Sequence, residues 1–91
     1  MHLEIVSPEA KLFSGEVESI TLPGALGSFQ ILNNHAPIVS TLKEGQVIIQ
    51  GKINITEAMK KHFTQTGDKI LFSIKSGVVE MRDNKVILLS D

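Results

Sequence analysis

The chain has 91 residues, room for one domain spanning 1–91 and little more. Apolar residues make up 42% and charged residues 21%, a balance that suits a folded globular chain and argues against disorder. With 9 basic and 10 acidic residues the net charge is −1, so no cationic excess exists for a nucleic-acid backbone. The longest basic cluster, Lys60-Lys61-His62, is too short to anchor the chain on anionic lipid.

Cysteine is absent, which excludes disulfides, thiolate metal ligands and cysteine nucleophiles, and makes a reducing compartment the natural expectation. Met1-His2-Leu3-Glu4 does not read as a signal peptide, because no basic stretch is followed by an apolar run. The longest fully apolar run, Val86-Ile87-Leu88-Leu89, falls far short of the ~20 residues a membrane helix needs. At a membrane, this chain would be held by a partner.

Short β-branched runs separated by turn residues dominate the pattern. Residues 2–6 alternate, with Leu3 and Ile5 on one face, and Ser7-Pro8-Glu9 breaks the run. Residues 17–22 read as the second strand, with a bulge near Glu18-Ser19 where the apolar phase shifts. Pro23-Gly24 should end it, and Gly27 should close a short turn. Residues 28–32 alternate again, and 33–37 read as a loop, Pro37 keeping Ala36 extended. Residues 38–42 and 46–50 flank Lys43-Glu44-Gly45, which reads as a tight hairpin loop. Thr56 and the helical spacing of Ala58, Met59 and Phe63 suggest a short helical excursion over 56–63. Residues 69–74, 78–82 and 85–90 are strands, the last two joined by Asp83-Asn84 as a type I′ turn. So many short strands predict an all-β sandwich or barrel.

The sequence carries no catalytic motif. The chain has no glycine-rich phosphate loop and no nucleophile elbow. His2, His35 and His62 lie far apart in sequence and in no metal-binding spacing. Glu16 and Glu18 read as a solvated strand face. Aromatic residues are 4%, with no Trp or Tyr, so a sugar-stacking platform is poorly supplied. Catalytic, metal and cofactor residues are therefore expected to be none. The unusual stretch is 23–37, dense in Gly, Pro and Asn, which reads either as ordinary turn chemistry or as a protein-docking loop.

That stretch carries a family resemblance. Leu3-Glu4-Ile5-Val6-Ser7-Pro8-Glu9, Leu12-Phe13-Ser14-Gly15-Glu16-Val17, Leu22-Pro23-Gly24, Gly27-Ser28-Phe29-Gln30-Ile31-Leu32 and Asn34-His35-Ala36-Pro37 occur in the order and spacing of one family. Leu42-Lys43-Glu44-Gly45-Gln46-Val47, Ser76-Gly77-Val78-Val79-Glu80 and residues 84–89 continue the match. The chain resembles the N-terminal β-sandwich domain of the epsilon subunit of bacterial F-type ATP synthases, over nearly its whole length apart from about residues 51–68. Gln30 and Asn33 stand where that family usually has Gly and Pro, and Ser76 where Gly is common.

The resemblance implies a sandwich of about ten strands. It also implies a non-catalytic central-stalk subunit that binds the gamma subunit and the c-ring, so that ion-driven rotation reaches beta subunits where ATP is made. The partner-facing residues carried over are Ala25, Leu26, Gly27, Ser28, Gln30, Asn33, Asn34 and His35, with Ser7 and Ser40 on a side facing gamma. His35 either contacts gamma or fixes its own loop by bonding a backbone carbonyl. Most bacterial members continue into a helical hairpin that can inhibit ATP hydrolysis, and inhibition of that kind is not expected from residues 1–91. The implied location is peripheral, on the cytoplasmic side of the bacterial plasma membrane, with a monomer when isolated. The alternative reading is a non-catalytic β-sandwich adaptor for another protein.

Overall fold

The computed structural model describes residues 1–91. Ten strands follow in chain order: β1 (His2–Val6), β2 (Lys11–Glu16), β3 (Ser19–Gly24), β4 (Gly27–Leu32), β5 (Ile38–Leu42), β6 (Gly45–Gln50), β7 (Phe63–Thr66), β8 (Lys69–Ile74), β9 (Gly77–Arg82) and β10 (Lys85–Ser90). Hydrogen bonding runs β2-β1-β10-β9-β5-β3-β6-β8-β7, with β4 on β3. Between β5 and β3 that path narrows to the single pair Gly24↔Leu42. The chain is therefore a sandwich of two five-stranded layers, β2-β1-β10-β9-β5 and β4-β3-β6-β8-β7, stitched along one seam. All pairings are antiparallel except β1 with β10.

The core follows from strand alternation. Leu3 and Ile5 of β1, Val86 and Leu88 of β10, and Val79 and Met81 of β9 point inward from one layer. Ile20 and Leu22, Val47 and Ile49, and Ile70, Phe72 and Ile74 meet them from the other. The far edge is closed by rings rather than by backbone. Phe63 of β7 stacks on Phe72 at 4.9 Å and meets Phe13 of β2 across the layers at 6.2 Å. Asp83 and Asn84 hold φ of 52° and 58°, the left-handed pair that a type I′ turn requires.

Four local expectations change. The apolar phase shift near Glu18-Ser19 is a change of layer, not a bulge. β2 ends at Glu16, and Val17 is buried with its N–H on the Met1 carbonyl at 2.9 Å. The Glu18 N–H then reaches Gln50 O at 2.8 Å, and β3 begins at Ser19. β2 itself was hidden because Ser14-Gly15 interrupts its apolar signal. Pro23-Gly24 does not end β3. Pairing of β3 with β6 stops at Thr21, so no neighbour asks Pro23 for an N–H, and its carbonyl still accepts from Lys43 N–H at 2.9 Å. Lys43-Glu44-Gly45 is not a hairpin loop, since β5 pairs with β9 and β6 with β3 and β8; it carries the chain between layers.

The excursion at 56–63 exists as one 3₁₀ turn, Met59–Lys61. Ala58 holds its N-cap position, while Thr56 accepts the Met59 N–H through its carbonyl at 3.1 Å and, more weakly, its hydroxyl at 3.4 Å. Phe63 leaves the helical pattern to begin β7. No helix is long and apolar enough to cross a membrane.

Candidate docking surface

The partner-facing residues inferred for 25–35 do not form one loop. β4 separates them by its full length, about 20 Å at ~3.3 Å per residue. At one end, Ala25-Leu26 is the two-residue tip of the β3–β4 hairpin, and Leu26 is fully exposed. Gly27 takes φ 139°, which an L side chain rarely adopts. Behind the tip, the Phe29 ring lies over Gly24, where a Cβ would sit 2.8 Å from two ring carbons. The Ala25 N–H donates to Thr41 O at 3.1 Å, tying the tip to β5. A groove of about 400 Å³ runs between Leu26, Phe29, Val39 and Ser40. Ser28 and Gln30 lie exposed along β4.

Asn33, Asn34 and His35 sit at the opposite end, beside the first residue and the β9–β10 turn. Asn33 Oδ1 accepts from the Met1 ammonium at 2.9 Å and from Asn84 Nδ2 at 3.0 Å. The Asn34 N–H donates to Asn84 Oδ1 at 2.7 Å, and Asn34 itself takes φ 62°. His35 donates its N–H to Leu32 O at 3.1 Å, and its Nδ1 bonds the Ala36 carbonyl at 2.7 Å. The His35 ring thus contacts the carbonyl of the next residue in its own loop, and the residue is exposed.

Ser7 follows β1 and closes a turn, its N–H and hydroxyl both donating to Ala10 O at 2.9 and 3.2 Å. Ser40 is half-buried in β5, with its hydroxyl on Thr41 O at 3.1 Å. Its register partner is the buried Val79, so Ser40 lies on the inward side of β5, opposite Val39 and Thr41. The outward side carries a feature that the sequence pattern did not mark. Register places Thr41 beside Val78, Val78 beside Leu89, and Leu89 beside Val6. This row crosses four strands on the outer face of the first layer, joined by Val39 on the same face. Val39, Val78 and Leu89 are 72%, 38% and 51% exposed. Adjacent apolar residues within a strand, Val78-Val79 and Leu88-Leu89, were the available signal, because alternation leaves one of each pair outside.

Beyond the row that face is mostly charged, with Ile87 set between Glu4 and Glu80. His2 Nδ1 meets Glu16 Oε2 at 3.2 Å, and Glu4 Oε1 lies 3.9 Å from both Lys11 Nζ and Lys85 Nζ. At the tip end, Asp91 accepts the N–H groups of Lys75 at 3.1 Å and Ser76 at 3.4 Å. Those bonds, Lys75 foremost, hold its carboxyl below the usual value of 3.8. No group of three or more His, Asp or Glu side chains comes together in a way that could hold a metal ion.

The whole chain, residues 1–91, matches the family described as the ATP synthase delta/epsilon chain, β-sandwich domain. The chain belongs to that family. The ATP synthase epsilon chain of Leptospira interrogans is 38% identical over 92 residues, covering 100% of this chain and 61% of that one. The epsilon chain of Chlorobium limicola is 36% identical over 89 residues, covering 98% of this chain and 86% of that one. Against the Leptospira and Campylobacter relatives, this delta/epsilon-type chain spans about three-fifths of their length. A chain in the central stalk and c-ring structure of Tetrahymena thermophila mitochondrial ATP synthase superposes with a TM-score of 0.76. It covers 99% of this chain and 62% of that one at 16% identity, which establishes a shared fold.

Proposed function

We propose that this delta/epsilon-type sandwich works as a non-catalytic part of the central stalk of an F-type ATP synthase. In that role it fastens the gamma subunit to the c-ring, so that ion-driven rotation reaches the beta subunits. It would sit peripherally, on the cytoplasmic side of a bacterial plasma membrane. The observation that carries the reading is the row Val6–Leu89–Val78–Thr41, which continues through the Ala25–Thr41 bond to the exposed Leu26 tip. An apolar strip rimmed by charge fits a protein partner. The gamma subunit takes the strip, which Ser7 adjoins at the Val6 end, and the ring's polar turns take the tip with Ser28 and Gln30. Torque passes through a close-packed sandwich, which needs stiffness rather than reactive side chains.

The test is a binding titration against the cognate gamma subunit, comparing the unaltered chain with a Val78→Asp/Leu89→Asp variant. One-to-one binding by the first and at least a hundredfold weaker binding by the second is expected, because two carboxylates would be desolvated in the strip. No binding by the unaltered chain, both proteins being folded, would sink the stalk assignment and favour an adaptor for some other protein.

A further inference from the structure

A sandwich with open layers has four edge strands, and each is a template for pairing unless something blunts it. Three are blunted here. β2 carries Lys11 and Glu16, sits beside the irregular Ile5/Val6 register, and is walled by Ile53, Thr56 and Met59. β7 has four residues and follows Lys60-Lys61-His62. β5 begins after Pro37, which has no N–H, and its Thr41 carbonyl is taken by Ala25.

β4 has no such protection. Gly-Ser-Phe-Gln-Ile-Leu is six residues long, without charge or proline, and pairs only with β3. Gly24 and Gly27 close the two-residue turn, so alternation turns the backbone groups of Ser28, Gln30 and Leu32 away from β3. Of these, only the Leu32 carbonyl has a backbone partner, the His35 N–H.

We propose that β4 is a self-pairing edge: two copies of the chain join β4 to β4 antiparallel, about a two-fold axis through Gln30. In this register Gln30 faces Gln30 of the second copy and exchanges both backbone bonds with it. The Leu32 N–H donates to the Ser28 carbonyl across the axis, and vice versa. The register is isologous, as a two-fold interface must be. No charge on either strand opposes another, and the neighbouring outward residues Thr21, Ile48 and Leu71 are uncharged as well. The free chain is then a weak dimer rather than the expected monomer. Pairing covers Ser28 and Gln30, so it excludes ring docking through the same strand.

Sedimentation velocity of the chain from about 10 µM to 1 mM tests this. The expected result is a concentration-dependent shift from the monomer to the dimer value. Gln30→Lys and Gln30→Glu should each stay monomeric, because like charges would meet ~5.5 Å apart at the axis. Mixed in equal amounts, they should recover the dimer. Gln30→Pro, which removes an outward N–H unused within the chain, should also stay monomeric; circular dichroism confirms that each variant is folded. An unaltered chain that remains monomeric at 1 mM, whether or not β4 then pairs with gamma, overturns the proposal. So does a Gln30→Lys or Gln30→Pro chain that dimerises like its parent, or a charge-swapped mixture of folded variants that fails to associate.

Discussion

Replacing Gly24 by alanine tests whether the docking tip is held by close packing. A Cβ there would lie 2.6 Å from the Gly27 carbonyl oxygen and 2.8 Å from two atoms of the Phe29 ring. The ring could swing aside, but the oxygen belongs to the residue paired with Gly24 and cannot retreat without opening the hairpin. Overpacking of this kind costs about 1–3 kcal/mol. Total stability for 91 residues is on the order of 5–14 kcal/mol. A loss of 2 kcal/mol would lower the thermal midpoint by about 8–16 °C. Gly15→Ala is the control, because a Cβ there meets only the Phe13 ring at 3.4 Å, ordinary contact, and alanine in a strand interior is neutral or stabilising by up to about 1 kcal/mol. Urea denaturation of both variants, with Gly24→Ala/Phe29→Leu as a third, separates the two clashes. The double variant should recover only the part due to the ring. A Gly24→Ala protein within about 0.5 kcal/mol of the parent would refute the packing argument.

Phe63→Ala should cost about 3–5 kcal/mol in the same assay, since it empties the site between Phe13 and Phe72 that closes the far seam. Asn84→Ala should cost about 2 kcal/mol, because it puts alanine at φ 58° and removes the bonds to Asn33 and Asn34; thermal melts would show it. Asp91 has a folded pKa below its unfolded value, so its contribution is present above about pH 4 and is lost as pH falls through the folded value. Asp91→Asn should therefore flatten the acid limb of a stability–pH profile measured by denaturant melts between about pH 2 and 5.

Much of the sheet was legible because its signals are local. Alternation at Ile70, Phe72 and Ile74, and the turn formers Asp83-Asn84, marked elements the structure places at the same residues. What was not legible depends on which strand becomes a neighbour. Nothing within Lys43-Glu44-Gly45 says that its flanking strands part into different layers, and nothing within Ser14-Gly15 says that β2 is completed by β1. The docking surface divides in the same way. The Asn-rich stretch stood out by composition, yet the Asn33 side chain is occupied in holding Met1 and Asn84, and Asn34 bonds Asn84 only through its backbone N–H. The apolar row appears only when register aligns Val6, Leu89, Val78 and Thr41 from four separate strands.

The most direct test of the stalk reading uses the absence of cysteine. Single cysteines at Leu89, Leu26 and Lys69 would each be the only thiol in the chain, and alkylation rates can be compared with and without gamma and the c-ring. Leu89→Cys should be protected by gamma and Leu26→Cys by the ring, while Lys69→Cys on the second layer should react at an unchanged rate. Protection of Lys69→Cys with Leu89→Cys left reactive would place the partner on the other layer and contradict the stalk reading.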